Sequence, residues 1–324
     1  MKMKNHIIIS LLFLLIGCSK PEPVDISTLV RRDGLYYKLN SEKPYSGQFF
    51  NNVIKVEGNI KKGKKHGVYR SYYLNSNIKE EKNYTYGMVN GDYKWFHENG
   101  HIISEGTFKN DLKFGVWKKF TESGLLESEE HYDEELLYSI KKTYRISGEL
   151  LEEIHYKDGK KDGLSTLWYE NGQKELEGTY KDGKKDGLYT SWDENGQKEY
   201  EVNYKDGKLD GLYTSWYEDG QKENKRTYKD GEIDGLRTFW WETGEKFEQT
   251  YKDGKLELET TWDENGQKLS EEPYKDGIEN GKWTEWYRNG QKKSESMYKD
   301  GELDKTIGRW NEDGSVRKKP FYLD

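Results

Sequence analysis

The sequence predicts an all-β chain: an elongated antiparallel single-sheet solenoid of tandem 24-residue β-hairpins. An aromatic residue returns at that step at Tyr72, Phe96, Phe120, Tyr144, Trp168, Trp192, Trp216 and Trp240. After two one-residue deletions it resumes at Trp262, Trp286 and Trp310. A glycine keeps the same step at Gly100, Gly124, Gly148, Gly172, Gly196, Gly220 and Gly244, then at Gly266, Gly290 and Gly314. Between these markers polarity alternates from residue to residue, as on a strand with one wet face.

One unit shows the logic. Residues 188–192, Leu-Tyr-Thr-Ser-Trp, are aromatic and β-branched types that suit a pleated surface. Asn195-Gly196 follows and reads as a tight hairpin turn with positive φ. In the return strand Gln197, Glu199, Glu201 and Asn203 share one parity, and Lys198, Tyr200, Val202 and Tyr204 the other. Residues 205–211, Lys-Asp-Gly-Lys-Leu-Asp-Gly, then turn the chain into the next unit. Leu188, Trp192 and Tyr204 are the expected buried side chains. A single hairpin cannot fold alone, so neighbouring units must supply the stability.

The start of the chain differs in kind. Met1-Lys2-Met3-Lys4 precedes an apolar run at 7–16, which reads as a secretory signal over 1–17, too short for an ordinary span. Leu15-Ile16-Gly17-Cys18 is similar to the lipobox of bacterial lipoproteins, in which cleavage leaves the cysteine as the lipidated N-terminus. Lipidation is therefore expected at Cys18, with acyl chains holding the protein on a membrane. Cys18 is the only cysteine, which excludes an intrachain disulfide. The expected location is the bacterial cell envelope; Ser19 resembles an outer-membrane signal in Gram-negative lipoproteins. Residues 18–33, with Pro21 and Pro23, read as a flexible tether. The repeat array is expected over 34–324, about eleven full units after a degenerate, capping one near Gly34 and Gly47.

Hydrophobic residues make up 32% of the chain and aromatic ones 15%, which suits a thin aromatic sheet better than a thick core. Without Lys2 and Lys4 the chain keeps 51 basic and 60 acidic residues, a balance that argues against nucleic acid as a partner. The unit over 132–156 diverges most, carrying Glu134-Glu135-Leu136-Leu137 where others have a glycine turn. Both deletions fall between Gly244 and Trp262, where Leu258 stands in a glycine position, so a bend or register break is expected there. Arg317, Lys318, Lys319 and Pro320 read as guards of the last edge.

Residues 211–222, Gly-Leu-Tyr-Thr-Ser-Trp-Tyr-Glu-Asp-Gly-Gln-Lys, resemble the MORN-variant repeat, as do 163–174, 187–198 and 281–292. The resemblance extends over ~34–316. It implies tandem hairpins in a long sheet, and some members of that family are described as antitoxins of bacterial toxin–antitoxin systems.

No catalytic set is evident, and the chain is not expected to be an enzyme. His131 and His155 occupy equivalent places in successive units, roughly 10 Å apart, too far for one metal. His66, His97 and His101 read as surface residues. The Asp-Gly-Lys-Lys-Asp-Gly loops at 158–163 and 182–187 are explained by turn chemistry rather than by calcium, which needs six to eight oxygens. No cofactor or metal is expected, which leaves the surface. Trp168, Trp192, Trp216, Trp240, Trp262 and Trp286 form a structural aromatic ladder. On the opposite parity Tyr189, Tyr213, Tyr217, Trp241, Trp283 and Tyr287 either pack across strands or form a partner-binding face. The expected function is a non-enzymatic, membrane-anchored protein that binds a protein partner, as an antitoxin or immunity protein. The rival expectation is a structural envelope scaffold or spacer lipoprotein.

Overall fold

The computed structural model describes residues 21–133 and 138–317. Cys18, the signal segment 1–17, residues 134–137 and the terminal Lys318, Lys319 and Pro320 lie outside the described residues. The chain divides into two compact units, Met1–Lys113 and Phe114–Asp324.

The first unit begins where a tether was expected. Strand β1 (Val24–Asp25), a 3-10 turn (Ile26–Thr28), β2 (Leu29–Arg32) and β3 (Leu35–Lys38) precede β4 (Gly47–Asn51) and β5 (Val56–Lys61). β1 pairs in parallel with β4, Val24 opposite Phe49. Asp25 caps the turn: its Oδ1 accepts from Ser27 N at 2.8 Å and from Asn51 Nδ2 at 3.0 Å. The reason is apolar burial. Val24, Ile26 and Leu29 pack on Tyr45, Phe49, Val56 and Ile60, so this stretch folds instead of swinging free. β2 and β3 form their own two-stranded sheet. β4 and β5 form the first antiparallel pair of the long sheet, and short β1 occupies the free edge of β4.

In the second unit the described strands pair antiparallel in sequence order, with the short Ile278–Glu279 and the following Gly281–Trp286 both lying against Lys268–Lys275. The hairpin Lys184–Trp192 and Lys198–Lys205 is representative. Its turns differ from expectation. Asn195-Gly196 closes a four-residue loop in which only Gly196 has positive φ, 83°, and Gly196 N donates to Asp193 O at 3.0 Å. Asp193 Oδ1 sets that loop by accepting from Asn195 N at 2.8 Å and Gln197 N at 2.9 Å. The two-residue hairpin turn is Asp206-Gly207, with φ of 49° and 86° and Lys205 paired to Lys208. Gly211, φ 105°, is a bulge inside the next strand: Val202 faces Tyr213, but Tyr204 already faces Leu209. Strands thus reach nine residues rather than five.

The two deletions leave the ladder unbroken, which corrects the expected register break. Phe239 and Trp240 face Phe247 and Lys246 without the shift seen at Trp192. Leu258 faces Thr250 and Leu256 faces Tyr251, so that bulge holds one extra residue instead of two. Each deletion removes a bulge residue and costs no pair.

Successive hairpins are stapled at the turns. Tyr169 Oη donates to Trp192 O at 2.8 Å, Tyr217 to Trp240 O at 2.7 Å and Tyr287 to Trp310 O at 3.0 Å. At the opposite ends Asp186 Oδ2 accepts from Asp206 N at 3.1 Å, and Asp162 Oδ2 from Asp182 N at 3.1 Å. These bonds tie neighbouring repeats together at both ends of the strands.

Candidate binding face

The register sorts the second unit's side chains into two faces. One carries the tryptophan ladder together with threonines, lysines and glutamates. Thr166, Thr190, Thr214, Thr238, Thr260 and Thr284 are buried there, and Lys174, Lys198 and Lys268 form ion pairs with Glu177, Glu201 and Glu271. A lysine of one hairpin lies over the tryptophan of the next: Lys174 is 5.8 Å from the Trp192 ring centre, Lys198 5.7 Å from Trp216 and Lys268 5.6 Å from Trp286. Trp168, Trp192, Trp216, Trp240, Trp262 and Trp286 are each half-buried. Leu188, expected inside, is 48% exposed.

The deepest packing lies on the other face. Tyr189 is 2% exposed, between Tyr180 and Tyr204 at ring separations of 5.8 and 5.1 Å. Gly178 faces it across the strands, and a Cβ there would fall within the Tyr189 ring. Burial, with Tyr180 and Tyr204 beside it, holds the Tyr189 hydroxyl well above the usual phenol range. Tyr189 is therefore withdrawn from any binding surface, a correction to the sequence reading.

Through Tyr189 runs a row of directly opposed residues perpendicular to the strands: Gly178, Tyr189, Val202, Tyr213, Arg226, Arg237, Gln249, Glu259 and Glu272. Trp283 sits one residue from Thr284, which faces Glu271, and so continues the row. From Tyr213 onward these side chains are half-buried. Arg226 lies 4.3 Å from the Tyr213 ring centre. Arg237 donates to Gln249 Oε1 at 3.1 Å, and Gln249 Nε2 donates to Glu259 Oε2 at 2.6 Å. Arg226 and Arg237 each bury an Nε without a hydrogen-bond partner, and among the described residues neither pairs with a carboxylate. Glu272 is pushed up chiefly by burial, with Glu259, Glu279 and Glu285 adding repulsion.

The other expected contact residues take different places. Tyr213 and Trp283 lie in this row. Trp241, 39% exposed, packs at its rim against Phe239 and Phe247, 5.5 and 5.4 Å away. Tyr217 and Tyr287 spend their hydroxyls as staples between hairpins. The sequence reading missed Arg226, Arg237, Gln249, Glu259 and Glu272. Their signal was present as one column of the repeat, in which Val202 is followed at successive steps by Arg226, Gln249 and Glu272.

A hollow of about 510 Å³ opens among the aspartate turns at Asp158, Asp162, Asp182 and Asp186. Asp162 and Asp186 are already occupied there as acceptors for backbone N–H groups. His131 and His155 both face Ile140, which places them two strands apart. Among the described residues no group of three or more His, Cys, Asp or Glu side chains is placed to hold a metal, and no helix is long and apolar enough to cross a membrane.

The family model described as MORN repeat variant matches residues 65–86, 89–110, 161–182, 185–206, 209–230, 258–276 and 279–300. The match at 185–206 covers one strand, its Asn-Gly loop and the return strand. The stretch 231–257, with Arg237 and Gln249, lies between matches. No curated protein sequence matches the chain. A solved structure described as "Crystal Structure of TcdB2-TccC3" aligns with 76% of this chain at 11% identity and a TM-score of 0.20. This chain spans 14% of that one. The period, the hairpin geometry and the matches agree: the chain is a repeat protein in which seven stretches match the MORN repeat variant.

Proposed function

We propose that this is a non-enzymatic repeat protein, anchored to the bacterial envelope through lipidated Cys18, that binds a protein partner with the face carrying the Tyr213–Glu272 row. The observation that carries the reading is the charge left unpaired there. On the tryptophan face lysines and glutamates neutralise one another, whereas Arg226, Arg237 and Glu272 lie half-buried among aromatic rings with no opposite charge of their own. Aromatic and arginine side chains dominate binding hot spots, and complementary charge fixes register and raises on-rates. The resemblance to antitoxin-bearing members of the repeat family supports the narrower form: an immunity protein that occludes a toxin.

Co-expression of the full-length chain with the product of a neighbouring gene tests that form; protection from growth arrest is expected. Survival no better than with an empty vector, or protection undiminished by Arg226→Glu, contradicts it. Anchoring is tested separately by fatty-acid labelling, which Cys18→Ala should abolish; equal labelling of the variant rejects it. The hairpin-to-hairpin staples favour a second reading, a stiff envelope spacer, which predicts indifference to Arg226→Glu.

A further inference from the structure

The order of side chains along the row is close to a mirror of itself in charge. From one end it reads Tyr213, Arg226, Arg237, Gln249, Glu259, Glu272, with Trp283 beyond. Gln249 is the centre, two cations lie on one side and two carboxylates on the other, and an aromatic ring closes each end. Neighbouring strands lie ~4.8 Å apart, so equal steps from the centre reach equal distances.

This order is costly within one chain. Arg226 and Arg237 are directly opposed on adjacent strands, as are Glu259 and Glu272. Like charges directly opposed on neighbouring strands destabilise the pairing. Alternating the signs would remove the cost, as the paired charges of the tryptophan face do. Gln249 passes hydrogen bonds between the inner two, Arg237 and Glu259. The outer two, Arg226 and Glu272, have no such relay to an opposite charge.

We propose that the occupant of this face is a second copy of the chain, related by a two-fold axis that runs along the strands through Gln249. The proposal rests on the reading of this face as a docking surface and names what docks. A closed dimer is isologous: if residue i meets j, then j meets i. That rotation reverses the strand order and keeps the strand direction, so Arg226 of each copy faces Glu272 of the other and Arg237 faces Glu259. Tyr213 comes opposite Trp283. Both like-charged pairs are then neutralised by one operation, and two sheets stacked ~10 Å apart leave room for those side chains. Burial strengthens each pair because the surrounding dielectric falls.

The test uses full-length chains, two differently tagged copies co-expressed and extracted in mild detergent. Wild-type copies should co-purify. Arg226→Glu in both copies sets two carboxylates opposite each other, and Glu272→Arg in both copies sets two cations opposite each other. Each should reduce co-purification about tenfold or more. An Arg226→Glu copy with a Glu272→Arg copy restores opposite charge at both contacts and should return the yield to near the wild-type level. Recovery also shows that both variants fold. Wild-type copies that do not co-purify, variants that pair as the wild type does, or a mixed pair that fails to recover each overturn the proposal. A dimer proposal lost in this way leaves partner binding to be decided by the co-expression test above.

Discussion

At Gly178 the lack of a side chain decides where Tyr189 goes. The ring lies across the glycine and is 2% exposed, while its repeat equivalents Tyr213 and Trp283 remain half-buried. Gly58 does the same for Phe49, whose ring would meet a Cβ there at 2.9 Å. Gly178→Val should therefore push Tyr189 out and cost about 1–3 kcal/mol in chemical denaturation, an overpacking penalty. An unchanged midpoint would contradict the packing described. Tyrosines also set a limit on alkaline stability. Tyr72, Tyr93, Tyr144 and Tyr274 are each pushed up to about 12, first by burial and then by Glu57, Glu80, Glu129 and Glu272 respectively. In the unfolded chain a phenol ionises near ~10. Between these values the folded state holds more protons, so stability is complete below ~10 and falls as the pH rises toward 12. Part of the tyrosinate absorbance should rise late and in step with loss of β-structure. A full rise near ~10 with the fold intact would exclude it.

Within a hairpin, backbone chemistry sets the turns and bulges, and a few side chains then lock one hairpin to the next. The Tyr217 hydroxyl bond to Trp240 O, at 2.7 Å, is one such lock. Tyr217→Phe keeps the ring and removes the donor, and should cost about 0.5–1.5 kcal/mol. Loss of the same size in Trp241→Phe, which has no such bond, would remove the distinction between staple and rim. Element boundaries were only partly legible. Asn-Gly and Asp-Gly are both plausible tight turns, and residue type alone does not say which has two residues at positive φ. The pairing of Lys205 with Lys208 settles it for Asp206-Gly207. The deletions near Leu258 looked like a break because a strand was assumed to hold no spare residues. The bulges supply them.

For the chain as a whole, the period of 24 residues was enough for the fold class, since it fixes both strand pairing and parity. It was not enough to say which parity is buried. Both faces of this sheet carry aromatics and both bury side chains, Thr190 beside the tryptophans and Tyr189 on the other face. Nor does composition show that residues 24–32 fold; their apolar side chains matter only once Phe49 and Ile60 are beside them. The proposed binding face was only half legible in the sequence: parity put Tyr213, Trp241 and Trp283 among its candidates, while Arg226, Arg237 and Glu272 looked like ordinary surface charges until the register placed them in one row. The most direct measurement compares what co-purifies with the full-length chain when one charge is reversed on each face. Arg226→Glu should lose the bound protein, whereas Lys222→Glu, exposed on the tryptophan side, should retain it. Loss with Lys222→Glu and retention with Arg226→Glu would place the function on the opposite face and contradict the account.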